Sequence, residues 1–249
     1  MATFSIGESI RFGWETFKMR PWFLVGLALL TFAVSLVSSL VSEPVERSGV
    51  VSLIVLVSLA SAALGIAVQL AVYKIAIRAH DSIETAEYAD ALPLKPFWKF
   101  VGATVLQGVL PMLAALAAAL PLIPIGYMLE NAVPRPLIVA VGVAVIVIAA
   151  AYVALRIIFM PILVADRSLG PISALKESMR ITRGVLGKIL LFFVVAGLLN
   201  VAGALLLFVG LLVTVPLTLI ATVHVYRTLE HTASELAPVS EAPAAAPAA

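Results

Sequence analysis

Residues 137–165 read LIVAVGVAVIVIAAAYVALRIIFMPILVA, an apolar run broken by a single charge, Arg156. A bilayer core about 30 Å thick asks for roughly 20 apolar residues per helix, so a run of this kind is a membrane-span candidate. Five more such stretches lie outward from it, near 22–41, 50–77, 101–128, 189–208 and 211–226. With 62% hydrophobic residues, 12% charged residues and a mean hydropathy of +1.13, the chain exceeds what a soluble domain of its length keeps in solution. The pattern predicts an all-α polytopic membrane bundle of six transmembrane helices.

The last two stretches have no charge between them. Read as one helix, 188–226 would run about 39 residues at 1.5 Å each, which overshoots any bilayer, so a tight turn is expected around Gly210. Near the N-terminus, Glu8, Arg11, Glu15, Lys18 and Arg20 interrupt what a cleavable signal peptide would need as its apolar core. The first span is therefore expected to act as an uncleaved insertion signal. Cysteine is absent, which removes disulfides, thiolate catalysis and thiolate metal sites.

Cations sort by side. Arg11, Lys18, Arg20, Lys74, Arg78, Lys95, Lys99, Arg167, Lys176, Arg180, Arg183, Lys188 and Arg227 fall on one side of the six spans, and Arg47 and Arg135 on the other. By the positive-inside rule both termini are expected in the cytoplasm, with the chain in the inner (plasma) membrane. The outside connections, 42–49 and 129–136, are short, whereas the inside ones are long and charged. Three hairpins are expected, each preceded by a cytoplasmic segment: 3–20, 80–100 and 171–184. Glu8-Ser9-Ile10-Arg11 reads against Glu177-Ser178-Met179-Arg180, and Val72-Tyr73-Lys74 against Val225-Tyr226-Arg227. These matches point to a threefold internal repeat, although any chain with long inside loops produces short likenesses.

Two of the cytoplasmic segments have helical amphipathic spacing. In the first, Ser5 and Glu8 have capping-box spacing, with Ile6, Ile10, Trp14 and Phe17 on one face and Glu8, Arg11, Glu15 and Lys18 on the other. In the third, Pro171 suits a first turn and Gly184 a stop, and Ile172, Leu175, Met179 and Thr182 run beside Lys176, Arg180 and Arg183. Both are expected to lie in the interface, either binding anionic headgroups, at about 1 kcal/mol per cation, or simply collaring the bundle. The middle segment is acidic, with Asp81, Glu84, Glu87 and Asp90 placed to pair with Arg180 or Arg183. It ends in Pro93-Leu94-Lys95-Pro96-Phe97-Trp98-Lys99, an expected interfacial anchor.

On a continuous helix Arg156 lies ten positions before Asp166, about 15 Å from the inner end. No carboxylate lies in any span. Its expected partners are backbone carbonyls freed by a proline, the amides of Gln69, Gln107 and Asn200, or lipid headgroups reached by snorkelling. The lack of an intramembrane carboxylate argues against coupled transport, since His224 is the sole span histidine and lies beside Arg227. Pro111, Pro121, Pro124, Pro161 and Pro216 either kink the spans around a central cavity or are ordinary membrane prolines. No Gly-x-Ser-x-Gly, nucleotide-binding or zincin signature is present, and His80, His224 and His231 lack metal-ligand spacing.

The run from Asp166 to Gly184, DRSLGPISALKESMRITRG, resembles the signature of the membrane domain found fused to some glycerophosphodiester phosphodiesterases and of its stand-alone bacterial relatives. In that family an acidic residue closes the fourth helix and an Ala-Leu, Ser, Thr, Gly series follows, matched by Asp166, Ala174, Leu175, Ser178, Thr182 and Gly184. The aromatic and basic opening at 12–22 and the Val209-Gly210 turn before Pro216 extend the likeness over nearly the whole chain. The resemblance implies a six-helix membrane fold. It implies no inherited enzyme activity, because the soluble metal-dependent phosphodiesterase domain is not among these residues.

The expected organisation is a six-helix integral membrane domain at 1–232 and a disordered Ala/Pro-rich cytoplasmic tail at 233–249. The expected function is non-enzymatic, with no cofactor, metal or nucleic-acid partner: a lipid-interacting or scaffold role, with Arg156, Lys176, Arg180 and Arg183 contacting anionic headgroups. The alternative is an uncoupled transporter or channel for a small anion, with Arg156 in its pathway. Ser58, Ser61 and Gly65 have close-packing spacing that serves a contact within the chain or between chains equally well.

Overall fold

The computed structural model describes residues 4–47, 49–92, 95–129, 132–206 and 209–235. Among the described residues there are nine α-helices, one 3-10 helix and no strand. In order they are α1 (Ile6–Met19), α2 (Pro21–Arg47), α3 (Val51–Asp81), the 3-10 helix Tyr88–Ala91, α4 (Phe97–Leu129), α5 (Arg135–Arg156), α6 (Met160–Arg167), α7 (Pro171–Ile181), α8 (Leu186–Leu205) and α9 (Leu211–Glu235). Helix α9 runs past the expected domain boundary at 232, and the tail from 236 onward lies outside the described residues, as do Pro93 and Leu94 of the expected anchor.

Six stretches are long and apolar enough to cross a membrane: α2, α3, α4, the combined Arg135–Arg167, α8 and α9. Helix α2 continues through Pro44 to Arg47, so the connection expected over 42–49 is shorter than the sequence implied. The chain turns at Val209 and Gly210, as expected. There the main chains of Gly203 and Gly210 approach so closely that a Cβ on Gly210 would meet the Gly203 carbonyl at 2.5 Å, which is why this turn takes glycine.

The stretch 137–165 is not one helix. Helix α5 stops after Arg156, where Ile157 adopts φ −110° and ψ 9° and its N–H bonds the carbonyls of Val153 and Ala154. Helix α6 starts at Met160 with Pro161 in its first turn, where the missing N–H has no helical partner to lose. This proline starts a new helix instead of kinking an old one. Pro111, Pro121 and Pro124 leave α4 continuous.

The packed core sits at the end of the molecule that carries most of the cations. It contains Leu24, Leu70, Ile75, Phe100, Phe159, Met160, Ile162, Leu163, Phe192 and Tyr226 among its fully buried side chains. By contrast, the most apolar windows of α3, α4 and Arg135–Arg167 bury none of their residues. The helices therefore converge at the basic end, and α3, α4 and α5 leave their apolar middles uncovered by protein, whereas α9 buries part of its apolar stretch.

Helix α1 lies along α9, and the face it buries is Ser9, Gly13, Thr16 and Phe17. Of the expected apolar face only Phe17 is buried, whereas Trp14 is exposed. A Cβ on Gly13 would meet the Leu217 carbonyl at 2.6 Å and Ala221 at 3.3 Å, so the contact depends on having no side chain there. Helix α7 behaves alike: Ala174, Ser178 and Ile181 are buried and Ile172 and Met179 exposed. Small residues face protein because they let backbones approach, while Ile6, Ile10 and Leu175 of the expected apolar faces are partly buried against the core. Ser9 and Ser178, matched in the internal repeat, are both buried.

The acidic middle segment forms turns and the short 3-10 helix. Arg20 Nη1 donates to the carbonyls of Ile83, Glu84 and Ala86 at 3.0, 3.2 and 2.7 Å, and Tyr88 Oη donates to Phe23 O at 2.9 Å. These bonds fasten the segment to the α1–α2 junction. Its carboxylates pair with Arg227 (from Asp81) and Arg78 (from Asp90), not with Arg180 or Arg183 as the sequence implied.

Candidate functional site

The break after α5 creates the site. With no helical turn beyond it, the Arg156 carbonyl is an orphan acceptor, and α7 supplies the donor. Ser178 Oγ donates to it at 2.9 Å. Thr182 Oγ1 lies 3.4 Å from the same carbonyl and gives its proton to Ser178 O at 2.9 Å. Both residues are fully buried. The Ala-Leu, Ser, Thr series is thus the packing face that seats α7 under the break, and Gly184, at φ +82°, ends the segment in a backbone region that favours glycine.

The Arg156 side chain turns to the last turn of α7. Its Nη1 donates to Met179 O at 3.1 Å, and its Nε donates to Tyr152 Oη at 3.4 Å, with the guanidinium carbon 5.6 Å from the Tyr152 ring centre. A helix C-terminus carries partial negative charge, so the cation is favoured there. None of the amides named from the sequence bonds it; Asn200 instead donates to Thr218 at 3.3 Å. Among the described residues no carboxylate lies within ion-pair distance of Arg156.

Depth changes with the helix break. From Arg135 to Arg156, α5 has 22 residues, about 33 Å at 1.5 Å each, which matches a bilayer core by itself. Arg156 therefore stands at the end of a helix that is long enough by itself to cross such a core. Beside it an open groove of about 560 Å³ runs between α4 and α5, lined by Ala114, Ala117, Val145, Ile148, Ala149, Tyr152 and Val153. Tyr152 belongs to both features, as groove wall and as partner of Arg156. Sequence reasoning did not single it out, although a tyrosine four residues before an arginine near a span end fits the interfacial enrichment of aromatic residues.

The other three expected contacts do not behave as one set. Lys176 and Arg183 are exposed and make no ion pair among the described residues. Arg180 is engaged: its Nε and Nη2 bond Glu177 at 2.8 and 2.6 Å, and its Nη1 donates to Ala233 O at 3.0 Å, tying α7 to α9. Its guanidinium, mainly through that hydrogen bond, holds the Glu177 carboxyl below the usual glutamate range, and Glu177 raises Arg180 in return.

A charged cluster that sequence reasoning missed joins the ends of α3 and α6 to the last third of α9. Arg227 bonds both oxygens of Asp166, at 3.0 and 3.1 Å, and Asp81 at 2.9 Å. Tyr226 Oη donates to Asp166 at 2.8 Å, and Arg167 pairs with Glu230. Next to it the His80 and His224 rings share a hydrogen bond at 3.2 Å, and Phe12 of α1 stacks on His224 with centroids 4.4 Å apart. These partners are 61, 146 and 144 residues apart, so no local pattern announces them.

Compared with protein-family models, curated proteins and solved structures, the chain matches none of them.

Proposed function

We propose that this chain is a non-catalytic protein of the inner (plasma) membrane, with both termini cytoplasmic, which binds anionic lipid at the cytoplasmic leaflet in a lipid-binding or scaffold role. In this reading its six spans form three hairpins, and α1 and α7 are interfacial helices. The stand-alone membrane proteins that Asp166–Gly184 resembles are the class it would join. One observation carries the proposal: Arg156 ends a helix of bilayer length, has no carboxylate within ion-pair distance among the described residues and bonds Tyr152, which lines an open apolar groove. A guanidinium of this kind is completed by a phosphate oxygen, for which its planar fork of donors is suited.

Further support comes from the cation asymmetry and from Trp14, Trp22 and Trp98, all exposed at the basic end where interfacial tryptophans belong. Exposed Lys176 and Arg183 on the α7 segment add positive potential next to Arg156. The test is retention of anionic over zwitterionic phospholipid by the purified protein and by a variant with Arg156, Lys176 and Arg183 replaced by Ala. Loss of the preference supports the reading. Unchanged preference overturns it, and anion flux in proteoliposomes that disappears with Arg156→Ala would replace it with a transport role.

A further inference from the structure

We propose that the α4–α5 groove holds one acyl chain of a phospholipid whose anionic headgroup rests on Arg156. This rests on the lipid-binding reading and adds to it a chain site, a depth and an orientation. Along α5, Val153 is three and Val145 eleven residues before Arg156, so the groove runs from about 5 to about 16 Å from the arginine along the axis. That interval is one leaflet of a core about 30 Å thick. A lipid with its phosphate at Arg156 has its chain at just this depth.

Three further features fit that occupant. The groove is hollow because Ala114, Ala117 and Ala149 bring little side chain to the α4–α5 seam. Tyr152 joins its wall to Arg156 through the hydrogen bond at 3.4 Å, so chain and headgroup sites are continuous. Of the guanidinium's donors, Nε and Nη1 are engaged, and Nη2 makes no hydrogen bond among the described residues. That donor is available to a phosphate oxygen. A second groove on the same seam, lined by Ile123, Gly126, Tyr127, Arg135, Ile138 and Val139, lies at the far end of α5 and supplies an internal reference.

The experiment uses the full chain in phosphatidylcholine vesicles doped with phosphatidylglycerol carrying a photoreactive diazirine on one acyl chain, with adducts mapped by peptide mass spectrometry. The same diazirine on phosphatidylcholine is the comparison. The expected result is an excess of phosphatidylglycerol adducts at Ala114, Ala117 and residues 145–153. Arg156→Ala reduces this excess about fivefold, the worth of one basic contact at the membrane surface, and leaves adducts at the second groove unchanged. Ala149→Trp, and independently Ala117→Trp, fill the groove and abolish the excess while Arg156-dependent retention of phosphatidylglycerol persists.

Adducts spread evenly over all lipid-facing helices would overturn the chain site. If retention of anionic lipid still depends on Arg156 in that case, the function reading survives and the groove assignment alone fails. If retention is indifferent to Arg156 as well, both fail. Equal adduct yields in the groove for the two headgroups would overturn the assignment of an anionic lipid.

Discussion

The Ser178 hydroxyl on α7 donates to the Arg156 carbonyl on α5 at 2.9 Å, across the point where the fourth span breaks. One residue thus offers its carbonyl to α7 from the main chain and its guanidinium to the end of α7 and the groove. Removing the donor by Ser178→Ala is expected to cost about 1 kcal/mol. Ser178→Leu, at a fully buried position, should cost roughly 1–3 kcal/mol through overpacking. Unfolding midpoints in detergent check both values, and a leucine variant as stable as the parent would show that α7 is not seated here.

Gly13 and Gly7 give a paired test of how α1 is held. Gly13→Ala drives a Cβ to 2.6 Å from the Leu217 carbonyl, while at Gly7 nothing lies within 4 Å. The first should destabilise by roughly 1–3 kcal/mol and raise protease cleavage in α1. The second should be neutral or add up to about 1 kcal/mol from helix propensity.

Arg227 holds Asp166 and Asp81 together, so Arg227→Met leaves carboxylates without their cation. Removing one partner from such a partly exposed cluster is expected to cost about 1–3 kcal/mol. Combining it with Asp166→Asn should cost less than the sum of the two single changes, the signature of direct coupling in a double-mutant cycle.

The Glu177–Arg180 pair makes the α7–α9 contact sensitive to acid. Because Arg180 lowers the Glu177 carboxyl, the pair's contribution is complete above the ordinary glutamate value of about 4.3 and is lost as pH falls through the lowered one. For a partly exposed pair this amounts to about 0.5 kcal/mol. Comparing parent and Glu177→Gln from pH 7 to pH 3 should show a stability difference at neutral pH that closes at the acid end.

Length and charge made the six apolar stretches legible, because a bilayer imposes both on any helix that crosses it. The break at Ile157–Phe159 was not legible, since apolar residues flank it and Pro161 reads equally well as a kink or a start. The amphipathic spacing of α1 and α7 was legible, but the small residues that carry their packing, Ser9, Gly13, Ala174 and Ser178, were not, since the spacing of small residues does not say which neighbour they meet. Arg156 stood out as an isolated cation with backbone carbonyls among its expected partners, yet the carbonyl it meets, at Met179, comes from the last turn of α7 and is not freed by a proline.

The most direct test of the account is native mass spectrometry of the protein released with its surrounding lipids, comparing the parent with Arg156→Ala and Arg156→Lys. The account predicts a defined anionic lipid bound to the parent, lost from the alanine variant and partly kept by the lysine variant, which preserves charge but not the planar fork of donors. The same unselective lipids on all three proteins would contradict it.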